Sequence, residues 1–127
     1  MRSTQARYLF AIRMLHDRYA CVRSVDVAHY LDISKASVSV AVRQLRDGGL
    51  IEVERDGNLL LTDSSRLKAE RLRDRVSFFR RLLTAAGVEP SLALQDAVSF
   101  SWEMSEDSFE AFRALGAKAL SPEADEE

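Results

Sequence analysis

A single cysteine, Cys21, stands among the 127 residues. That scarcity excludes an intramolecular disulfide framework and suits a reducing cytosol, which leaves Cys21 as a small buried apolar side chain. No apolar run approaches the ~20 residues that a membrane helix needs, and no signal peptide is visible. The expected location is therefore cytoplasmic, with no membrane partner. Histidine is scarce as well: His16 and His29 have no Cys, Asp or Glu at a consistent metal-ligand spacing, so both read as surface or packing residues. The five glycines form no phosphate-binding loop, and neither a Ser-His-Asp order with its elbow nor an obvious carboxylate pair occurs. An enzyme is not expected. There is no internal repeat and no low-complexity tract.

What is present is ordinary in bulk and uneven in distribution. A composition of 46% hydrophobic and 30% charged residues fits a folded chain, of a length for one compact unit or a small domain with an oligomerisation segment. The net charge of −2 hides an asymmetry. Residues 1–81 hold 16 Lys+Arg against 10 Asp+Glu, whereas residues 82–127 hold 2 against 10. A basic N-terminal two-thirds suits phosphate binding, and the acidic remainder must face elsewhere. Solvated helix faces without a partner would give the same asymmetry.

The segment from Ser24 to Thr62 carries the strongest signal. A short helix capped at Ser24 buries Val27, Ala28 and Leu31, and a tight turn follows. Ser34 then caps a further helix from Lys35 to about Asp47, in which Val38, Ala41, Val42 and Leu45 recur at i, i+3, i+4, i+7 and face a core. Its opposite face holds Ala36, Val40 and Arg43, flanked by Ser37, Ser39 and Gln44. Such small and hydrogen-bonding side chains let a helix seat deeply in a major groove. Gly48-Gly49 stops this helix by allowing a left-handed residue. The period then changes to two: Ile51 and Val53, the loop Arg55-Asp56-Gly57-Asn58, then Leu59 and Leu61, a hairpin signal. This is a winged helix-turn-helix. The expected DNA-binding residues are Ser34, Lys35, Ala36, Ser37, Ser39, Val40, Arg43, Gln44 and Arg55. Arg55, near the wing tip, reads equally as a phosphate or minor-groove contact and as an exposed loop arginine.

Before this segment a first helix spans about Thr4 to Tyr19, with Tyr8, Ile12, Leu15 and Tyr19 in one stripe. After it a long linking helix covers about 63–86, striped by Leu67, Leu72, Val76, Phe79, Leu83 and Ala86 and widened by Phe78 and Leu82. Gly87 closes it. Pro90-Ser91 opens a fifth helix to Met104, and Ser105 caps a sixth from Glu106 to about Leu120 with Phe109, Phe112 and Leu115 inside. Residues 121–127 form an acidic, frayed tail. The apolar set Phe78, Phe79, Leu92, Leu94, Phe100, Trp102 and Met104 exceeds what a monomer hides, and burial across a two-fold axis would resolve it. The fold class is thus mainly α with a small β-hairpin. A winged helix-turn-helix over 1–65 is followed by an α-helical dimerisation domain over 66–120.

With these elements in order, the wording resembles the diphtheria toxin repressor and manganese transport regulator family, over roughly residues 4 to 118. The resemblance rests on Tyr8-Leu9-Phe10-Ala11-Ile12, Ser34-Lys35-Ala36-Ser37-Val38-Ser39, Gly48-Gly49-Leu50-Ile51, Leu59-Leu60-Leu61-Thr62 and Ser105-Glu106-Asp107. The length matches the shorter branch without an SH3-like domain. The resemblance implies a cytoplasmic homodimeric repressor, activated by Mn(II) or Fe(II), on palindromic double-stranded DNA. It places Ser34, Ala36, Ser37, Ser39 and Val40 toward DNA. Ala36 stands where proline is frequent, and Val40 where a polar side chain often reads a base, although Val40 can still touch a thymine methyl.

The implied metal ligands do not carry over. The positions that correspond to them are Arg7, Phe10, Val76, Val98, Ser101 and Trp102, and Mn(II) or Fe(II) needs converging oxygen and imidazole donors. A one-residue slip brings Glu103 or Asp74 closer without restoring several ligands together. The expectation is a homodimeric sequence-specific regulator, a repressor, not controlled through the usual metal site and with no cofactor. Two alternatives stay open: a metal-dependent repressor using Glu103, Met104 and Asp74, and a winged helix used for protein–protein contact.

Overall fold

The computed structural model describes residues 3–120, so the expected acidic tail lies outside the described residues. The order of elements is α1 (Ser3–Leu15), α2 (Ser24–Leu31), α3 (Lys35–Asp47), β1 (Ile51–Val53), β2 (Leu59–Leu61), α4 (Asp63–Ala85), α5 (Pro90–Ser101) and α6 (Glu106–Ala119). The mainly α class with one hairpin is as expected. The chain divides after Arg71, within α4, into two compact units. No helix among the described residues is long and apolar enough to cross a membrane.

In the first unit α1, α2, α3 and the hairpin close around one core. Tyr8, Leu9, Ile12, Leu15, Val22, Val27, Val38, Leu45, Ile51 and Leu59 are all buried there, with Leu31, Ala41, Val42, Leu50 and Leu61 packed against them. The helical periodicity of α3 is therefore a true core stripe. That of α1 is shorter than expected. The helix ends at Leu15, the chain turns through His16–Arg18, and Tyr19 lies 53% exposed beyond the stripe. The hairpin pairs antiparallel in the register Ile51↔Leu61, Glu52↔Leu60, Val53↔Leu59. Ile51 and Leu59 supply its inward side, while Val53, at the outer end, is exposed.

Helix boundaries follow local chemistry. α2 begins at Ser24, one residue earlier than a Ser24 cap requires: Arg23 is the N-cap, and the Asp26 carboxylate, inside the first turn, accepts its backbone N–H at 2.8 Å. α2 ends in Asp32, held left-handed at φ 55°, a conformation that a short polar side chain tolerates. The Ile33 N–H then returns to the Ala28 carbonyl at 3.1 Å, which makes the tight turn ahead of α3. Gly49, at φ +74°, ends α3. At the start of α4, Ser65 is fully buried and donates to the Leu50 carbonyl at 2.5 Å, tying that end of the helix to the strand entry.

The second unit is organised by aromatic rings on α4, α5 and α6. Phe79 meets Phe78, Phe100 and Phe112 edge-on at 5.0, 4.8 and 5.8 Å between centroids, and Phe78 meets Phe109 at 5.8 Å. Such geometries stabilise beyond the area they bury. Gly116 is buried in α6 because Phe78 lies across it. A Cβ at 116 would come within 2.4 Å of the Phe78 ring. α5 opens on Pro90 and ends at Ser101, short of the expected Met104, and its cap is Glu89 in place of the Pro90-Ser91 start alone. The Glu89 carboxylate accepts the Ser91 and Leu92 N–H groups at 3.1 Å each, which holds its pKa below the ordinary glutamate value. That capping contribution is present above the ordinary carboxylate pKa and fades as pH falls through the depressed value.

Several apolar residues assigned to the interior are exposed in this chain: Leu67 in the first unit at 58%, and Phe112 and Leu115 in the second at 46% and 70%. Conversely, Phe78 and Phe79 are buried within the chain, and Leu94, Phe100, Trp102 and Met104 are half-buried. The exposed apolar set of the second unit is thus Leu92, Phe112 and Leu115, smaller than composition suggested.

Candidate nucleic-acid interface

Ser34 Oγ accepts the Ser37 backbone N–H at 3.1 Å and donates to Ser37 Oγ at 2.9 Å, so the start of α3 is closed by its own serines. Beyond this cap Lys35, Ala36, Ser37, Ser39, Val40, Arg43 and Gln44 are all exposed, while Val38 and Leu45 are fully buried on the opposite side. Successive residues turn by about 100° in a helix, so Val40 points directly away from the core. Ala36 and Arg43, then Ser39, lie to one side of it, and Gln44, then Ser37 and Ala41, to the other. Val40 is 53% exposed at the centre of this face. The carboxylate of Asp47 sits at the far end beside Arg46, at 3.5 Å. The exposed Lys35, Ala36, Ser39 and Val40 suit insertion by the first two turns, where the helix dipole also favours phosphate.

Replacing Ser34 by alanine is expected to cost about 1 kcal/mol of stability in the first unit, read from the denaturation midpoint at unchanged slope. Ser34→Asp restores the cap while adding a negative charge, so stability returns and any affinity for DNA does not.

The wing is anchored by a residue that the sequence did not single out. Asn58 is buried, its Oδ1 accepts the buried Val22 N–H at 2.8 Å, and its Nδ2 donates to Glu54 Oε1 at 2.6 Å. The Leu59 N–H returns to the Val22 carbonyl at 2.7 Å, and Arg23 Nε donates to the Asp56 carbonyl at 2.9 Å. Three-residue strands are too short to hold a wing by themselves, so the loop is stitched to the α1–α2 connection. An Asn after Asp-Gly is a weak sequence signal for this role, because its partner lies 36 residues away. Arg55 is exposed at the tip. Cys21, expected to be buried, is half-exposed, with Sγ 3.9 Å from Asp56 Oδ2. His16 Nε2 donates to the Leu59 carbonyl at 2.6 Å, a packing role, and His29 is exposed.

Beside the reader face, Thr4 and Tyr8 of α1 and Ala36, Ser37, Val40, Ala41 and Gln44 of α3 line a shallow depression of about 410 Å³. Burial pushes the Tyr8 phenol pKa up, so this wall is neutral.

The positions that correspond to family metal ligands do not fit a metal ion. In the first unit Arg7 is exposed and Phe10 is buried hydrocarbon. In the second, Val76, Val98 and Ser101 are buried and Trp102 is half-buried, leaving one hydroxyl as the sole oxygen donor of the set. Among the described residues no three His, Cys, Asp or Glu side chains gather closely enough to hold a metal, Asp74 and Glu103 included. A guanidinium works nearby instead. Arg75 donates from Nη1 to the Ser101 carbonyl at 3.0 Å and the Met104 carbonyl at 2.5 Å, and lies 5.0 Å over the Phe109 ring.

Residues 1–58 match the MarR family. The transcriptional regulator MntR of Escherichia coli O6:H1 is 31% identical over 96 residues, which cover 76% of this chain and 62% of MntR. The chain thus spans less than two thirds of the length of that relative. Among solved structures, the manganese regulator SloR superposes with a TM-score of 0.76 at 19% identity, over 87% of this chain and 52% of SloR. IdeR of T. acidophilum gives 0.70 at 20% identity, over 86% and 52%. The winged helix fold is shared, and the resemblance read from sequence is borne out.

Proposed function

From a MarR-family helix-turn-helix domain in a homologue of the MntR regulators, we propose a homodimeric, sequence-specific DNA-binding transcriptional repressor acting in the cytoplasm on a palindromic duplex. The observation that carries this reading is the exposed face of α3, where polar and basic side chains border the small apolar pair Ala36 and Val40. Lys35 and Arg43 supply phosphate or base contacts, the serines and Gln44 supply hydrogen bonds, and Arg55 reaches from the wing. The exposed Leu92, Phe112 and Leu115 of the second unit support self-association, which places two reader helices on successive turns of DNA.

Control through the family's metal position is not part of this reading, because the side chains there cannot ligate Mn(II) or Fe(II). The rival that recruits Asp74, Glu103 and Met104 has little support: Asp74 and Glu103 are exposed, and among the described residues neither belongs to a group of three His, Cys, Asp or Glu side chains. The rival that uses the reader face for a protein partner is weakened because α3 carries no aromatic side chain and its exposed apolar surface is small, whereas protein interfaces centre on apolar and aromatic clusters.

The test is selection of bound duplexes from a random pool by the full chain, once with chelator and once with Mn(II). Equal enrichment in both arms is expected. Enrichment only with Mn(II) would restore metal control, and enrichment in neither would remove the DNA reading. On the selected duplex, Arg43→Ala is expected to weaken binding about five- to tenfold and to lower the log–log salt slope by about one. An unchanged slope would take Arg43 out of the phosphate contacts.

A further inference from the structure

We propose that the depression beside Val40 seats a thymine methyl, making this chain a reader of T·A pairs at that position of its duplex. The inference rests on the DNA-binding reading above and adds the base that is read. The Val40 side chain has neither donor nor acceptor, points away from the core, and is the largest exposed apolar side chain of a face whose other apolar member is Ala36. Against guanine, cytosine or adenine edges it would strip water from hydrogen-bonding groups and return nothing. The thymine 5-methyl is the one apolar group that the major groove offers.

The neighbouring residues make the same selection. The depression continues from Val40 onto Ala36, Ala41 and the buried ring of Tyr8, so a methyl group entering beside Val40 meets carbon on several sides. Gln44 lies on the same rim, one helical turn on from Val40. Its amide can pair with adenine N6 and N7, the partner of a thymine in the same or the adjacent step. Charge sets the occupant as a nucleic acid: Lys35 and Arg43 flank the face, and the N-terminal turn of α3 presents its dipole there. The depression is open and, at about 410 Å³, does not exclude a methyl group.

The experiment uses the full chain and the duplex selected above. Each thymine is replaced in turn by deoxyuridine, which removes the 5-methyl and leaves every hydrogen-bonding group in place. Binding is followed by fluorescence anisotropy. At one thymine position per half-site the substitution is expected to weaken binding about fourfold, the value of one buried carbon. Val40→Ala, exposed and so compatible with folding, is expected to abolish that sensitivity, whereas Arg43→Ala binds more weakly and keeps it. The proposal is overturned if no deoxyuridine weakens wild-type binding, or if Val40→Ala leaves the sensitive thymine as sensitive as before. Failure to bind any duplex would remove the DNA reading itself, a distinct result.

Discussion

Arg75→Met is expected to destabilise the second unit by about 3 kcal/mol. The wild-type guanidinium answers two carbonyls at once, those of Ser101 and Met104, at the point where α5 ends and the chain turns toward α6. Hydrogen bonds from charged donors contribute about 1.5–3 kcal/mol each, and orphaned part-buried carbonyls add a desolvation cost. The contact over Phe109 contributes roughly 0.5–1 kcal/mol more. Methionine keeps much of the stem packing, so the loss isolates the fork. Arg75→Lys is expected to recover part of the loss, because one nitrogen, Nη1, serves both oxygens in the wild type, whereas an ammonium cannot also lie flat on the Phe109 ring. The chain's one tryptophan, Trp102, sits in this unit, so its fluorescence during denaturation reports this transition specifically. A loss under about 1 kcal/mol would show that water replaces the guanidinium at little cost.

Asn58→Ala is the second large effect, about 2–3 kcal/mol in the first unit. The Val22 N–H is buried, and Asn58 Oδ1 is the acceptor that the fold provides for it. Removing one partner of a buried pair exacts the full desolvation cost of the other. Hydrogen exchange gives the sharper readout: the Val22 amide is expected to lose protection beyond the global change in stability. Asn58→Asp keeps the acceptor but sets a second carboxylate against Glu54, now 2.6 Å from the amide nitrogen, so its defect is expected to shrink as acid neutralises the pair. Equal protection at Val22 in wild type and Asn58→Ala would mean that the wing is held by its strands.

What could be read beforehand divides by distance along the chain. α3 was legible at both ends, because Ser34 acts on an amide three residues away and the core stripe repeats every turn. The hairpin was legible for the same reason. Tyr19 misled because it continues the α1 period past the point where the backbone leaves the helix, and no residue type between His16 and Arg18 announces that turn. Phe112 and Leu115 fall on a helical face as expected, yet among the described residues Phe112 is only partly covered, by the Phe79 ring, and Leu115 stays 70% exposed. Arg75 carried no signal, since its acceptors are backbone atoms 26 and 29 residues on. Of the candidate interface, sequence supplied which side chains face outward, while the depression that turns Val40 from an oddity into a reader depends on where α1 lies beside α3.

Gly116 couples two positions in sequence space. A helix containing glycine gives up about 1 kcal/mol relative to alanine, so drift alone would replace it. The Phe78 ring blocks that drift, because any side chain at 116 must push it out of its edge contacts with Phe79 and Phe109. Shrinking Phe78 first opens a void instead. Neither residue can change alone without loss, so among relatives that keep this packing, positions 78 and 116 should drift as a pair: a large ring opposite no side chain, or a smaller group opposite alanine.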